Sequence, residues 1–281
     1  MALPIIKIEN AQGEVLNLST DPRYIPMLQN TGPVAATINT TKAGTNPGET
    51  INSVSLGKRN LLLTVDLIRD IAQGRLNLYN WLSSGEYIKV YYSNDGLNVY
   101  AEGYIENAPV DPWTQQQSVA ASIICPIPYW RELSETFTDG SNVKSLFEFP
   151  FSIAEEGIEL STVDTNTTTK VQNKGTAACG IRFELIAMVY TVNPRIYNLE
   201  TNDYIGFNLE MQAGDRLIVN TALGQKSVTL LRNGVKSNYM HTLMPKSEWL
   251  QLSKGFNEFA YVTDEGDIKL HIYHTNQYTG V

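Results

Sequence analysis

Residues 87–105 read Tyr87-Ile88-Lys89-Val90-Tyr91-Tyr92-Ser93-Asn94-Asp95-Gly96-Leu97-Asn98-Val99-Tyr100-Ala101-Glu102-Gly103-Tyr104-Ile105, and this stretch decides the fold class. Ile88, Val90 and Tyr92 recur at steps of two, which puts them on one face of a strand. Ser93-Asn94-Asp95-Gly96 supplies a turn, and Val99, Ala101 and Ile105 resume the pattern on the way back, so a hairpin is expected. The same alternation, broken by Gly, Asn, Asp and Pro, runs through most of the chain. The fold class is therefore mainly β.

Downstream of the hairpin, Val119, Ala121 and Ile123 continue a strand that stops at Cys125-Pro126-Ile127-Pro128. Two prolines without N–H groups cannot feed a ladder and close the unit. Upstream, Ile71, Leu78 and Leu82 recur at helical spacing, with Asp70 before them and Gly85 after, which predicts one helix from about residue 69 to 82. Between Thr37 and Arg59 the chain is rich in Thr, Asn, Ser and Gly, too long and polar for a tight turn. Ordered segments of that length usually carry function.

A polar stretch with Phe137, Phe147, Phe149 and Phe151 marks a boundary. The expected division is a first β-barrel or sandwich domain with one helix over 1–133, a linker over 134–152 and a second β-sandwich domain over 153–281. The second domain reads as strands at 170–172, 181–192, 204–208, 216–220, 227–231, 257–262 and 268–273, with Asn233-Gly234 as a strong turn.

Composition narrows the function. Lys and Arg total 21 against 29 Asp and Glu, and a net charge of -8 repels a phosphate backbone. Reading a nucleic-acid sequence is not expected on those grounds, whereas a wall past which DNA slides is compatible with them. Cys125 and Cys179 fall in different domains, which argues against a disulfide. The first residues show no basic leader with an apolar core, and the longest apolar run, residues 185–190, is too short to span a bilayer.

Motifs for chemistry are weak. Gly57-Lys58-Arg59 lacks the spacing of a nucleotide-binding loop and reads as a basic turn. His271 and His274 lie three apart on a strand, which sends them to opposite faces, so the expectation is unrelated surface or edge histidines and no zinc. Asp264-Glu265-Gly266-Asp267 reads as a hairpin turn, not a calcium loop, and neither Glu155-Glu156 nor Asp203 with Glu210 has a spacing that makes a catalytic pair. No nucleophile motif is found. No catalytic, cofactor or metal residue is therefore assigned.

Ile8-Glu9-Asn10-Ala11-Gln12-Gly13-Glu14, Arg59-Asn60-Leu61-Leu62-Leu63-Thr64-Val65 and Cys125-Pro126-Ile127-Pro128-Tyr129-Trp130 resemble the distal tail proteins of siphophages. The second half is similar to the galectin-like domain of that family, seen in Gly214-Asp215-Arg216-Leu217-Ile218-Val219-Asn220-Thr221, Arg232-Asn233-Gly234-Val235-Lys236 and the terminal Asn276-Gln277-Tyr278-Thr279-Gly280-Val281. The resemblance implies a non-enzymatic structural protein of the virion tail tip, assembled in the bacterial host cytoplasm, with no cofactor and no membrane contact. Its first domain would form a homo-oligomeric ring, usually a hexamer, between the tail tube protein and the tip proteins that carry receptor-binding machinery. DNA would pass through without sequence-specific binding. The polar stretch 39–56 is the expected arm reaching a neighbour, with Thr40, Thr45, Asn46, Glu49 and Asn52 as candidate interface residues. Alternatives are a carbohydrate-binding module, for which Trp249 is the candidate, and the equivalent part of a contractile tail or phage-derived particle. The galectin sugar motif is incomplete, because His274-Thr275-Asn276-Gln277-Tyr278 lacks its arginine.

Overall fold

The structure, a computed structural model, describes residues 3–42, 44, 47–110, 116–140, 143–145, 161–163 and 168–281, of which 143–145 and 161–163 as backbone. It has two compact units, one of Met1–Leu133 with Gln277–Val281 and one of Ser134–Asn276.

In the first unit the elements run β1 (Ile5–Asn10), β2 (Val15–Asn17), β3 (Tyr24–Gln29), β4 (Ala36–Thr41), β5 (Thr50–Leu56), β6 (Arg59–Leu67), α1 (Ile71–Trp81), β7 (Tyr87–Asn94), β8 (Leu97–Asn107), β9 (Gln117–Cys125) and β10 (Trp130–Glu132). A nine-stranded antiparallel sheet follows the order β2-β1-β7-β8-β9-β6-β3, with β10 placed between β8 and the terminal strand Gln277–Tyr278. The hairpin read from the sequence is β7–β8, with Ile88 opposite Gly103 and Val90 opposite Ala101. Its turn residues Asp95 and Gly96 take φ of 46° and 86°, the pair of left-handed conformations that matches strand twist. Ile88, Val90, Val99, Ala101 and Ile105 all point into one core with Leu61, Leu63 and Val119.

The helix is shorter than predicted. Asp70 sits at φ 46° and makes no side-chain cap, so regular geometry begins at Ile71. Leu78 and Leu82 are buried, and Gly74 permits close approach, since a Cβ there would lie 3.4 Å from Leu67 Cδ2 and 3.5 Å from Tyr24 Cε1. Tyr24 fixes the contact by donating its hydroxyl to the Gly74 carbonyl at 3.1 Å.

The second unit is a β-sandwich. One sheet runs Thr136–Asp139, Ile268–His274, Cys179–Ala187, Arg216–Asn220, Ser227–Arg232, Val235–Asn238, and the other Thr168–Asn173, Gly255–Val262, Arg195–Asn198, Tyr204–Gly206. Phe183 and Phe259 come from different sheets and meet edge to face at 5.6 Å within the core. Mainly β architecture was the expectation and is what the chain adopts.

Three details differ from the sequence reading. Thr136–Asp139, placed in the linker, is an edge strand paired with Ile268–His274. The strand expected over 181–192 ends at Ala187, and the chain bends over 188–190. Gln277–Val281, read as part of the second domain, belong to the first unit through the pairs Trp130 with Tyr278 and Arg131 with Gln277.

Candidate assembly surface

β4 and β5 pair with each other outside the main sheet, and every residue of both is exposed. Ala36 stands opposite Leu56 and Ile38 opposite Val54, and then the register shifts so that Thr40 faces Ile51 and Asn52 is bulged. Opposed residues share a face and successive ones alternate. The bulge therefore carries Ile51 onto the face that holds Ile38, Val54 and Leu56. The opposite face has Thr37, Asn39, Ser53 and Ser55, where Asn39 Nδ2 donates to Ser53 Oγ at 2.9 Å. The segment expected to be a polar stretch nearly devoid of large apolar residues is an amphipathic hairpin, with Ile38, Ile51 and Val54 each more than half exposed.

Of the candidate interface residues, Thr40 donates its hydroxyl to the Glu49 carboxylate, and Asn52 donates its amide to the Thr41 hydroxyl. These bonds hold the arm to itself and leave the side chains exposed. Thr45 and Asn46 lie outside the described residues. Sequence reasoning missed the aliphatic face. Its signal is the apolar residue at every second position, Ile38 with Ala36 and Val54 with Leu56, and the bulge at Asn52 masks the period by displacing Ile51.

Both roots of the arm meet at Arg59, the first residue of β6, which is 1% exposed. Its Nε donates to the Pro128 carbonyl at 2.8 Å, Nη1 to those of Asn30 at 2.8 Å and Gly32 at 2.7 Å, and Nη2 to that of Thr279 at 2.6 Å. The guanidinium also lies 5.6 Å from the Trp130 ring. Burial pulls its pKa below the ordinary arginine value. Arg59 thus faces inward as a structural group, in line with Gly57-Lys58-Arg59 being no phosphate cradle.

The solvent face of β7 and β8 forms a second surface. Tyr87 and Tyr104 meet edge to face at 5.9 Å, and Lys89 Nζ lies 4.3 Å from the Tyr100 ring centroid and 5.2 Å from that of Tyr91. Tyr91 donates to the Glu9 carboxylate, and Arg131 pairs with Glu102 at 3.2 Å. Burial, with Glu102 beside it, drives the Tyr87 pKa up. A cavity of about 160 Å³ opens here between Tyr87, Tyr100, Tyr104, Tyr129 and Pro126. Tyr and Arg around an apolar depression with paired charges is the composition of a protein contact.

The remaining motifs resolve into structure. His271 lies on the outer face of its strand and His274 on the core face, as strand geometry requires, but His274 is 2% exposed, which corrects the surface or edge reading. Asn276 is also buried and accepts the Lys174 amide at 3.1 Å, so this string offers no sugar-facing row. Asp264 is paired with Arg195 and accepts from Asn193 Nδ2 at 2.9 Å, while Thr263 donates to the Gly266 carbonyl at 2.8 Å, which makes 264–267 a turn. Trp249 is half-buried with Lys226 Nζ 5.4 Å from its ring. Cys125 and Cys179 are buried thiols, each pushed up to about 12 by burial. Glu155, Glu156 and Trp113 lie outside the described residues, and no cluster of His, Cys, Asp and Glu among the described residues could hold a metal ion.

Residues 174–278 match the family described as siphovirus-type tail component, C-terminal domain. The resemblance to the distal tail proteins is borne out. Across the whole chain the fold is that of the SPP1 Dit protein, whose crystal structure is described as a paradigm of the hub adsorption apparatus in phages infecting Gram-positive bacteria. The TM-score is 0.69 at 14% identity, covering 97% of this chain and 98% of that one. A chain of the phage P2 baseplate in its activated conformation with calcium matches with a TM-score of 0.56 at 11% identity, covering all of both chains. The strontium form of that baseplate gives 0.56 at 10% identity. No curated protein matches by sequence. The likenesses thus lie in phage tail and baseplate proteins.

Proposed function

We propose that this chain is a non-enzymatic protomer of a ring at the tail tip, six copies of which join the tail tube protein to the tip and receptor-binding proteins. The exposed arm supports this reading above all. A lone two-stranded hairpin is marginally stable in water, and this one presents an uncovered aliphatic face. A neighbouring copy covers it. A ring closed by rotation needs two different complementary patches per protomer. The arm, with Thr40, Glu49 and Asn52 at its flank, is one patch, and the tyrosine face of β7 and β8 suits the other.

Each contact of such a ring buries on the order of 1,600 Å² in total. The acidic balance of the chain, net -8, suits a channel that DNA crosses without being held. Light scattering on the purified chain, with negative-stain images, tests the proposal. The expected result is a six-fold mass and a ring with a central hole. A lone monomer at high concentration, with and without the tail tube protein, overturns it.

A further inference from the structure

The Arg59 fork does more than bury a charge. On one side it holds the carbonyls of Asn30 and Gly32, in the segment that leads into β4, and its own backbone follows directly on β5. On the other side it holds the Thr279 carbonyl. The terminal segment is then tied to the same loop three more times. The Val281 amide donates to the Thr31 carbonyl at 3.1 Å, Thr31 Oγ1 donates to the Val281 carbonyl at 3.3 Å, and a Cβ on Gly280 would stand 2.8 Å from Gly32 Cα. The Trp130 indole, in the strand paired with Tyr278, donates to that same Thr31 carbonyl at 3.1 Å.

We propose that this knot is a relay: the 277–281 segment and the arm share one set of anchors, so that a shift in the terminal segment loosens the arm, and covering the arm tightens the terminal segment. The segment continues covalently from Asn276, the last residue of the second unit, so events there have a route to the arm root. A guanidinium makes this possible because its donors have a fixed fork geometry, and one acceptor cannot be lost without turning the fork away from the others. A cavity of about 320 Å³ beside Arg59, lined by Asn30, Gly32, Val34 and Asn60, gives the root room to move. Coupling of this kind is reciprocal by linkage. It operates within one protomer and stands whether or not copies form a ring.

Amide hydrogen exchange followed by NMR on the full chain tests it, with the Trp130 indole N–H and the Val281 amide reporting on the knot. Gly280→Ala wedges the terminal segment off the loop. The expected result is that these two reporters and the amides of β4 and β5 exchange about tenfold faster while β7 and β8 keep their rates. Thr31→Val removes one tie and should move the same two places less. Val54→Pro, which breaks the arm ladder, should in turn speed exchange at Trp130 and Val281. If Gly280→Ala does not fold, the other two variants carry the same comparison. The relay is wrong if the knot reporters respond and the arm does not. It is equally wrong if β7 and β8 accelerate in step with the arm, or if no variant moves Trp130 and Val281.

Discussion

The first unit contains two long hairpins that obey the same backbone rules and differ in what covers them. β7–β8 has Ile88, Val90, Val99 and Ala101 at or below 2% exposure, whereas β4–β5 has its aliphatic residues in water. Burying a Val or Leu side chain fully stabilises by about 1.5–3 kcal/mol. The core hairpin therefore holds itself in the protomer, while the arm has that stabilisation still to gain. The contrast separates a hairpin that makes the fold from one left uncovered in the protomer.

The largest expected effect breaks the root of the arm. Arg59→Ala leaves four carbonyls without their donor and opens a large cavity, and should destabilise the first unit by about 3–5 kcal/mol in urea unfolding. The two cysteines localise the damage. With thiol pKa values of about 12, Cys125 and Cys179 should resist alkylation at pH 8 while folded. In Arg59→Ala, Cys125 should become reactive at lower urea and Cys179 should not. Equal shifts at both would show that the units unfold as one.

Next in size, Val90→Ala in the core hairpin should cost about 2–3 kcal/mol. Val54→Ala in the arm should change protomer stability by no more than about 0.5 kcal/mol. A cost at Val54 approaching that at Val90 would mean that the arm is already packed in the protomer. Ile38→Lys sharpens the comparison from the other side. It should leave the unfolding midpoint in place and abolish assembly by light scattering, because the partner would have to bury an unpaired ammonium.

The smallest effect tests a salt bridge remote from both hairpins. The Arg23 side chain, bonded to Asp21 at 2.6 Å, holds that carboxyl below its ordinary 3.8. A lowered folded pKa adds stability that is present above about pH 4 and is lost as pH falls through the folded value. Asp21→Asn should therefore cost about 0.2–1 kcal/mol at pH 7 and progressively less as pH falls through the folded value. A cost that does not decline with pH would point to packing instead of charge.

Much of the fold was legible because apolar residues buried on one face repeat every second position. Ile88, Val90, Val99 and Ala101 announced β7–β8 in that way, and Asp95-Gly96 fixed its turn. The arm was legible as a segment unable to make a core alone, yet not as a hairpin, since the bulge at Asn52 interrupts its period. His274 was misplaced at the surface because nothing local distinguishes an imidazole on the core face of a strand from one on the outside. Arg59 was read as part of a basic turn. Its role depends on carbonyls at residues 30, 32, 128 and 279, and convergence over such separations leaves no local pattern.

The chain leaves the first unit after β10 and returns in the strand that pairs with it, Arg131 opposite Gln277. Departure and arrival thus sit side by side on one ladder, close enough for a tight turn to join them. The second unit behaves as a cassette in a loop, and a different domain spliced between the same two strands would inherit the same socket. Evolution could exchange the inserted unit and leave the sheet that receives it untouched.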